Sequence, residues 1–135
     1  PIWIGGESMP AIRRTARIGD AWFPIGCNPR HPLNTVAKFS AALDNLKAEA
    51  EKIDRDPSEI DLAFWAVWAS LGEPSKTESG ERMILTGSAD DIASDINALG
   101  DLGVRHVLFN FLGATIEESI GNMEAFASEI MPLTR

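Results

Sequence analysis

Short apolar runs alternate with longer stretches of helical character along the whole chain, and this alternation limits the fold more than any other feature of the sequence. The alternation is typical of successive βα units, in which parallel strands are joined by helices. The third run is nearly all apolar, as expected for a strand that is covered on both faces. The predicted strands are Ile2–Ile4, Ala21–Phe23, Ile60–Ala69 and Val104–Phe109.

Each predicted strand is followed by residues that recur at helical spacing and begin at a capping signal. Ser8 is the predicted N-cap of the first helix, which should end at Gly19. Capping pairs are predicted before the third and fourth helices, at Ser88 with Asp91 and at Thr115 with Glu118. The stripe that the last helix should bury is Ile116, Ile120, Met123, Ala127 and Ile130. Residues 72–81 have no apolar period and predict a loop or lid.

Length and composition predict one domain over residues 1–135, or part of one. No apolar run is long enough to cross a membrane, and the start lacks the basic segment of a signal peptide. The formal net charge of −8 argues against nucleic acid as a partner. With one cysteine and two histidines, the chain offers no disulfide and no metal cluster, so a cytoplasmic protein without a metal is expected. The start at Pro1, already in a strand, predicts a cut end.

Four βα units form either an open doubly wound sheet or an arc of a closed barrel, and periodicity alone allows both. The string PIWIGGESMPAIRRTARIGDAWFP, followed later by LTGSADDIASDINALGDLGVRHVLF, decides between them. Together these strings resemble the C-terminal half of bacterial-luciferase-like oxidoreductases, over essentially all 135 residues. The resemblance implies half of a TIM (β/α)8 barrel, with parallel strands five to eight present and the N-terminal half absent. Unpaired edges of such a half imply a homodimer, or association with the missing half barrel.

The glycine pair after the first strand is the main candidate site. Gly5 and Gly6 leave backbone N–H groups free at the start of a helix, where a phosphate can bind, although glycines at a tight turn need no ligand. The family resemblance implies that this pair lies against the phosphate end of the cofactor. Glu7 and Ser8 extend the predicted cofactor-binding segment, and Ser8 is equally explained as a helix cap. The chain has no G-x-G-x-x-G string, which disfavours a Rossmann fold.

A predicted substrate-side loop follows the second strand and contains Pro24, Gly26 and Arg30, and Asn110 follows the fourth strand. In a barrel these positions open on the face where active sites are built. A solvated arginine and a turn-forming asparagine are equal alternatives.

Several other residues are explained by structural roles that need no ligand. Thr86, Gly87 and Ser88 form a second helix start that could receive an anion, but the capping pair accounts for Ser88 without one. Cys27 is expected to be inert, and His106 is expected to be buried within its strand.

The resemblance implies an oxidoreductase or monooxygenase in which the full-length protein transfers a hydride between FMN or coenzyme F420 and a small organic substrate. It also implies that the proton-handling residues lie in the first half of the barrel, so no catalytic residue is assigned here and the fragment alone is expected to be inactive. Two alternatives remain at this point. One is a non-redox half barrel that binds a phosphate-bearing ligand, and the other is a structural fragment that dimerises.

Overall fold

A computed structural model describes residues 1–135 and contains one main sheet with helices on one of its faces. The main sheet has four strands, all parallel, in the order β1-β2-β3-β6. Its strands are β1 (Trp3–Ile4), β2 (Ala21–Trp22), β3 (Asp61–Ala66) and β6 (Val104–Phe109). The helices are α1 (Met9–Ile18), α2 (Val36–Glu51), α3 (Ala89–Asp101) and α4 (Ile116–Ala125). A short 3-10 turn, Pro57–Glu59, precedes β3, and α4 continues as a π-helical turn, Phe126–Ile130, and a 3-10 turn, Met131–Leu133.

The four predicted strands and four predicted helices are all present, and the parallel pairing is confirmed. The third strand is shorter than predicted, because it ends at Ala66. The segment predicted as a loop or lid is bracketed by β4 (Ser70–Leu71) and β5 (Thr86–Gly87), which pair in parallel as a second small sheet. Neither of these two strands is predicted from the sequence. No helix has the length and apolar character needed to cross a membrane.

The core lies between the main sheet and its helices. Trp22 of β2 stacks on Phe39 of α2 at 5.5 Å between ring centroids, and Phe39 meets Phe64 of β3 edge to face at 5.3 Å. All three side chains are fully buried. Burying aromatic rings of this size contributes on the order of 2–3 kcal/mol each, so this group of rings holds the helices to the sheet.

The opposite face of the sheet carries aromatic side chains and no covering element. Trp65 of β3 stacks on Phe23 at 6.3 Å, and Phe23 meets Trp3 of β1 at 5.6 Å. Trp3 also lies 5.6 Å from the ring of His106 in β6. Because β1 and β6 are the two edge strands, about 14 Å apart if the sheet were flat, this contact requires a strongly curved sheet. The uncovered face is therefore concave.

Two predictions about burial were wrong, for one reason. His106 is exposed on the concave face and is not buried within its strand. The predicted stripe of α4 is also exposed, with Ile116 at 75%, Ile120 at 45% and Met123 at 46%, and Ile130 is its only buried member. Helix α4 follows β6 at the edge of the sheet, where no further strand or helix covers it. Periodicity identifies an apolar face but does not show whether this chain supplies a partner for it.

Candidate cofactor site at the carboxyl edge of the sheet

The glycine pair after β1 forms a tight turn whose backbone other residues fix. Gly6 has φ +99°, and a Cβ there would lie 3.0 Å from the Cβ of Ala11, so a larger residue would be strained and crowded. The carbonyl oxygen of Gly6 accepts a hydrogen bond from Nε1 of Trp22 at 3.0 Å. A Cβ on Gly5 would lie 3.3 Å from the carbonyl oxygen of Phe23. The turn is thus held against the end of β2, with Gly5 itself exposed.

Helix α1 begins directly after this turn without a side-chain cap. Ser8 occupies the predicted N-cap position, but its hydroxyl makes no capping hydrogen bond, and the first turn contains no acidic residue. Pro10 lies in the first turn, where its missing N–H is not needed. The N–H groups of Met9 and Ala11 therefore have no acceptor from a side chain. No side chain of the first turn therefore compensates the partial positive charge of this helix start.

Glu7 connects the glycine turn to the loop that follows β2. Glu7 is buried, with 6% of its surface exposed. Its Oε1 accepts hydrogen bonds from Ile25 N at 3.0 Å and Gly26 N at 2.9 Å. One oxygen of this carboxylate is thus engaged within the protein. Residue 7 and the loop are distant in sequence, so no local pattern could have shown this contact.

The loop after β2 contains both buried and exposed members of the predicted substrate-side group. Pro24 is fully buried, and its carbonyl oxygen accepts a hydrogen bond from Trp65 N at 3.0 Å, which continues the pairing of β2 with β3. Gly26 is also buried, and a Cβ there would lie 2.7 Å from Trp68 and 2.8 Å from Phe64. Arg30 is exposed, with no carboxylate within 4.0 Å. Of the three residues, only Arg30 directs a side chain to solvent.

Comparison with known proteins decides the family. A family model described as luciferase-like monooxygenase matches residues 1–77, which is more than half of the chain. The chain belongs to the luciferase-like monooxygenase family. The matched residues include the glycine turn, Glu7, Ser8 and the loop after β2, whereas Asn110 lies outside them.

Individual relatives agree with the family in sequence and fold. A 5,10-methylenetetrahydromethanopterin reductase from Methanolobus tindarius is 25% identical over 138 residues, which cover 94% of this chain and 40% of that protein. The coenzyme F420 dependent tetrahydromethanopterin reductase from Methanopyrus kandleri superposes with a TM-score of 0.65 at 14% identity, over 100% of this chain and 51% of its own.

Two further solved structures share the fold. An F420-dependent secondary alcohol dehydrogenase in complex with an F420-acetone adduct has a TM-score of 0.59 at 14% identity, covering 100% of this chain and 49% of its own. A long-chain alkane monooxygenase has a TM-score of 0.61 at 12% identity, covering 97% and 40%. This member of the luciferase-like family therefore spans about half, or less, of the length of these relatives.

Asn110 lies at the same carboxyl edge as the glycine turn but follows the strand at the opposite end of the sheet order. Its Oδ1 accepts a hydrogen bond from Leu112 N at 3.1 Å, which is the turn-forming geometry that the sequence left as one alternative. Asn110 also lines an apolar pocket of about 320 Å³ beside Phe109, Phe111 and Phe126. The structure thus places Asn110 at a pocket, but does not bring it together with the glycine pair.

The second candidate anion site, at the start of α3, is filled by the protein's own carboxylate. Ser88 Oγ accepts a hydrogen bond from Asp91 N at 3.1 Å, and Asp91 Oδ2 accepts one from Ser88 N at 3.0 Å, so the predicted capping box is confirmed. Hydrogen bonds from the side chain and backbone of Ser88 hold the pKa of Asp91 below its usual value, and the charge of Arg82 adds to this effect. An external anion at this helix start would meet a negative group.

An ion pair that the sequence analysis missed secures the chain just before α3. Asp95, 5% exposed, accepts two hydrogen bonds from the guanidinium of Arg82, at 2.7 and 2.8 Å, and a third from Leu85 N at 2.7 Å. The hydrogen bonds that Arg82 donates to Asp95 raise the pKa of the Arg82 guanidinium. Leu85 has φ +62°, a strained backbone that these bonds help to hold. The available signal was an acidic residue on the buried face of α3, between Ile92 and Leu99.

No group of three or more histidine, cysteine or acidic side chains has the geometry to hold a metal ion. Cys27 is a free, exposed thiol. The arrangement at the carboxyl edge consequently offers backbone donors, a helix dipole and aromatic surface, and none of the side-chain pairs used in acid–base or nucleophilic catalysis. Such a site can bind and orient a ligand.

Proposed function

We propose that this chain supplies strands five to eight of a luciferase-like (β/α)8 oxidoreductase, which transfers a hydride between coenzyme F420 or FMN and a small organic substrate. The observation that carries the proposal is the open start of α1. There a fixed glycine turn meets N–H groups that no side chain caps, and the first turn of the helix has no acidic residue. The cofactor assignment is supported by the relatives that depend on coenzyme F420.

The phosphate of the cofactor would bind at Gly5 and Gly6. At this place no side chain obstructs approach to the backbone, and the positive end of the α1 dipole favours an anion. The hydroxyl of Ser8, which caps nothing, is available to donate a hydrogen bond to the same group. Glu7 acts differently, since its Oε1 holds the neighbouring loop in place through Ile25 N and Gly26 N.

The concave aromatic face would form part of the cavity that holds the cofactor ring. The ring of Phe23 contacts those of Trp3 and Trp65, and all three side chains are exposed or half-buried in this chain. Flat apolar side chains of this kind exclude water from a ring and leave its orientation to a few polar groups. The chemistry of hydride transfer belongs to the cofactor when it is bound. Arg30 and Asn110 are proposed on the substrate side of the same edge of the sheet.

A second half barrel would cover the concave face, either from the same polypeptide or from a second copy. Both edge strands, β1 and β6, have one unpaired side, and an exposed row of backbone donors and acceptors is normally covered in folded proteins. The exposed stripe of α4 adds apolar surface that this chain leaves uncovered. On this proposal residues 1–135 alone have no turnover. A cytoplasmic location is proposed as well, and rests on the single free thiol.

The proposal is tested by titrating the full product of the gene with F420 and FMN and following ligand fluorescence. Saturable binding of at least one of them is expected, and riboflavin, which lacks the phosphate, should bind about tenfold more weakly than FMN. Equal affinity for FMN and riboflavin would remove the phosphate site from the glycine turn. Binding without any reduction of the cofactor by organic substrates would favour the non-redox alternative.

A further inference from the structure

An apolar pocket of about 320 Å³ lies at the carboxyl end of β6, between α3, α4 and the strand β4 of the small second sheet. Its most deeply buried lining residues are Ile92 of α3 and Ile130, which both belong to the core. An aromatic wall is formed by Phe109, Phe111 and Phe126, whose ring centroids are 4.5, 5.3 and 5.9 Å apart. Every wall of the pocket is therefore supplied by this chain.

Hydrogen bonds hold the walls of this pocket in place. The loop after β6 is fastened to α4, because Asn122 Nδ2 donates to the carbonyl oxygen of Phe111 at 3.3 Å. Another wall belongs to β4, where Ser70 N donates to the carbonyl oxygen of Leu85 at 3.1 Å. The pocket is thus preformed, and its volume falls within the range of ~300–1,000 Å³ that is typical of small-molecule sites.

The pocket lies on the other side of the sheet from the concave aromatic face. Successive side chains of a strand point to opposite faces, so Phe109 faces the helices whereas His106, three positions earlier, faces the concave side. Phe109 and Phe126 accordingly pack against the core between the sheet and its helices. A ligand in this pocket would be separated from the proposed cofactor ring by the sheet, and the site is additional to the one proposed above.

The lining residues select the chemistry of the ligand. Nine of the twelve are apolar and none is charged, so an ionic group inside the pocket would lose its hydration without gaining a partner. The three polar residues are exposed at the rim, and each keeps a free hydrogen-bonding group, namely the Ser70 hydroxyl, Asn110 Nδ2 and Asn122 Oδ1. A ligand hydroxyl, which both donates and accepts, matches this mixture of donors and acceptors.

The charge of the surrounding chain disfavours an anion in the same place. No lysine or arginine occurs between Arg105 and Arg135, whereas that stretch contains the acidic residues Glu117, Glu118, Glu124 and Glu129. None of these glutamates lines the pocket. Their field therefore repels an anion at longer range without offering a cation a direct partner.

We propose that this pocket binds an uncharged, largely apolar molecule that carries a hydroxyl group. The apolar body of the ligand lies against Phe109, Phe111 and Phe126. Its hydroxyl stays at the rim, where the Ser70 hydroxyl and Asn122 Oδ1 are its partners. The inference goes beyond the proposed function, because it needs neither the coenzyme nor the glycine turn.

The test compares benzyl alcohol, benzoate and benzylamine, which share an aromatic ring and differ in the charge of the polar group. Binding to the full product of the gene is followed by the amide chemical shifts of Leu112 and Ala125. Benzyl alcohol should bind saturably and about tenfold more tightly than either ion. An ion that binds as tightly as benzyl alcohol would overturn the proposal. So would the absence of saturable binding of benzyl alcohol, which is the outcome if the rest of the gene product fills the pocket.

Two alanines of the last helix provide a matched pair of variants. Ala125 lines the pocket, whereas Ala127, two residues later, is exposed and does not line it. Ala125→Leu should fill the pocket and weaken binding of benzyl alcohol about tenfold, and Ala127→Leu should leave that affinity unchanged. Equal effects of the two variants would place the ligand elsewhere and overturn the proposal.

The variant Ser70→Ala keeps the test decisive if Ala125→Leu fails to fold. The Ser70 side chain is exposed and makes no hydrogen bond within the chain, so its loss should not affect folding. Ser70→Ala should weaken binding of benzyl alcohol about threefold and leave the binding of toluene, which has no hydroxyl, unchanged. Equal affinity of the native protein and Ser70→Ala for benzyl alcohol would overturn the proposed recognition of a hydroxyl.

Discussion

Two helices of this protein begin with nearly the same sequence pattern but differ in the charge of their first turns. Both α1 and α3 follow a short parallel strand, a glycine with positive φ and a serine at the N-cap, namely Gly6–Ser8 and Gly87–Ser88. At α3 the chain supplies its own anion, because Asp91 completes a capping box and Asp90 adds a second charge. The first turn of α1 contains no acidic residue, and Ser8 makes no capping hydrogen bond.

A glycine turn before a helix is therefore not by itself an anion site. Any helix start has unpaired N–H groups, and what matters is whether a side chain of the same chain occupies them. At α3 the carboxylate of Asp91 accepts a hydrogen bond from Ser88 N, and its charge would repel a phosphate. At α1 no side chain caps these groups, and we propose a ligand there. The neighbouring loop is held in place by hydrogen bonds from Ile25 N and Gly26 N to Glu7.

Replacing each glycine by alanine should separate the two helix starts most clearly. Gly6→Ala and Gly87→Ala both place a side chain at positive φ, with close contacts to Ala11 at 3.0 Å and to Asp91 at 2.8 Å. Each should lower the free energy of unfolding by about 1–3 kcal/mol. Only Gly6→Ala should also weaken cofactor binding, by tenfold or more, when titrations are run on folded protein. A similar loss of affinity in both variants would mean that strain, and not position, governs binding.

How far the sequence could predict these two sites depends on the range of the contacts involved. Asp91 lies three residues after Ser88, and this local spacing predicts the capping box correctly. Ser8 stands at the predicted N-cap position of α1 but makes no capping hydrogen bond. The role of Glu7 depends on a loop 18 residues away, which only the packing of β1 beside β2 brings close.

The alternation of strands and helices predicted the parallel sheet, while the cofactor site at the glycine pair stays a prediction. What the pattern could not supply is the set of neighbours at the edges of the sheet. The stripe of α4 is as regular as that of a buried helix, but Ile116 and Met123 are exposed because this chain provides no element beyond β6. His106 faces the concave side, and its exposure has the same origin.

Charge substitutions at the second position of each helix should produce a smaller and mirrored effect. Pro10 in α1 and Asp90 in α3 are both exposed and occupy this position. Pro10→Glu introduces the negative charge that α1 lacks, and should weaken binding of FMN and F420 about threefold to tenfold relative to Pro10→Gln. Asp90→Asn removes such a charge from α3 and should leave both affinities unchanged. Tighter or equal binding in Pro10→Glu would contradict an anion site at α1.

The smallest expected effect is a difference in how the stability of the two helix starts depends on pH. The folded protein holds the pKa of Asp91 below its usual value of 3.8, chiefly through the hydrogen bond from the Ser88 side chain. A group with a lowered pKa stabilises the fold fully at pH values above its unfolded pKa, and loses that contribution as the pH falls through its folded pKa. The melting temperature of the native protein should therefore exceed that of Asp91→Asn by a constant amount from pH 7 to about pH 5, and by less and less below about pH 4.

The variant Pro10→Gln at α1 is the control. It changes no titrating group, so the difference between its melting temperature and that of the native protein should stay constant over the same range. Thermal unfolding by circular dichroism in buffers of matched ionic strength measures both differences. If the Asp91→Asn difference were also independent of pH down to pH 3, the carboxylate would contribute no charge-dependent stability to α3, and the contrast between the two helix starts would lose its electrostatic basis.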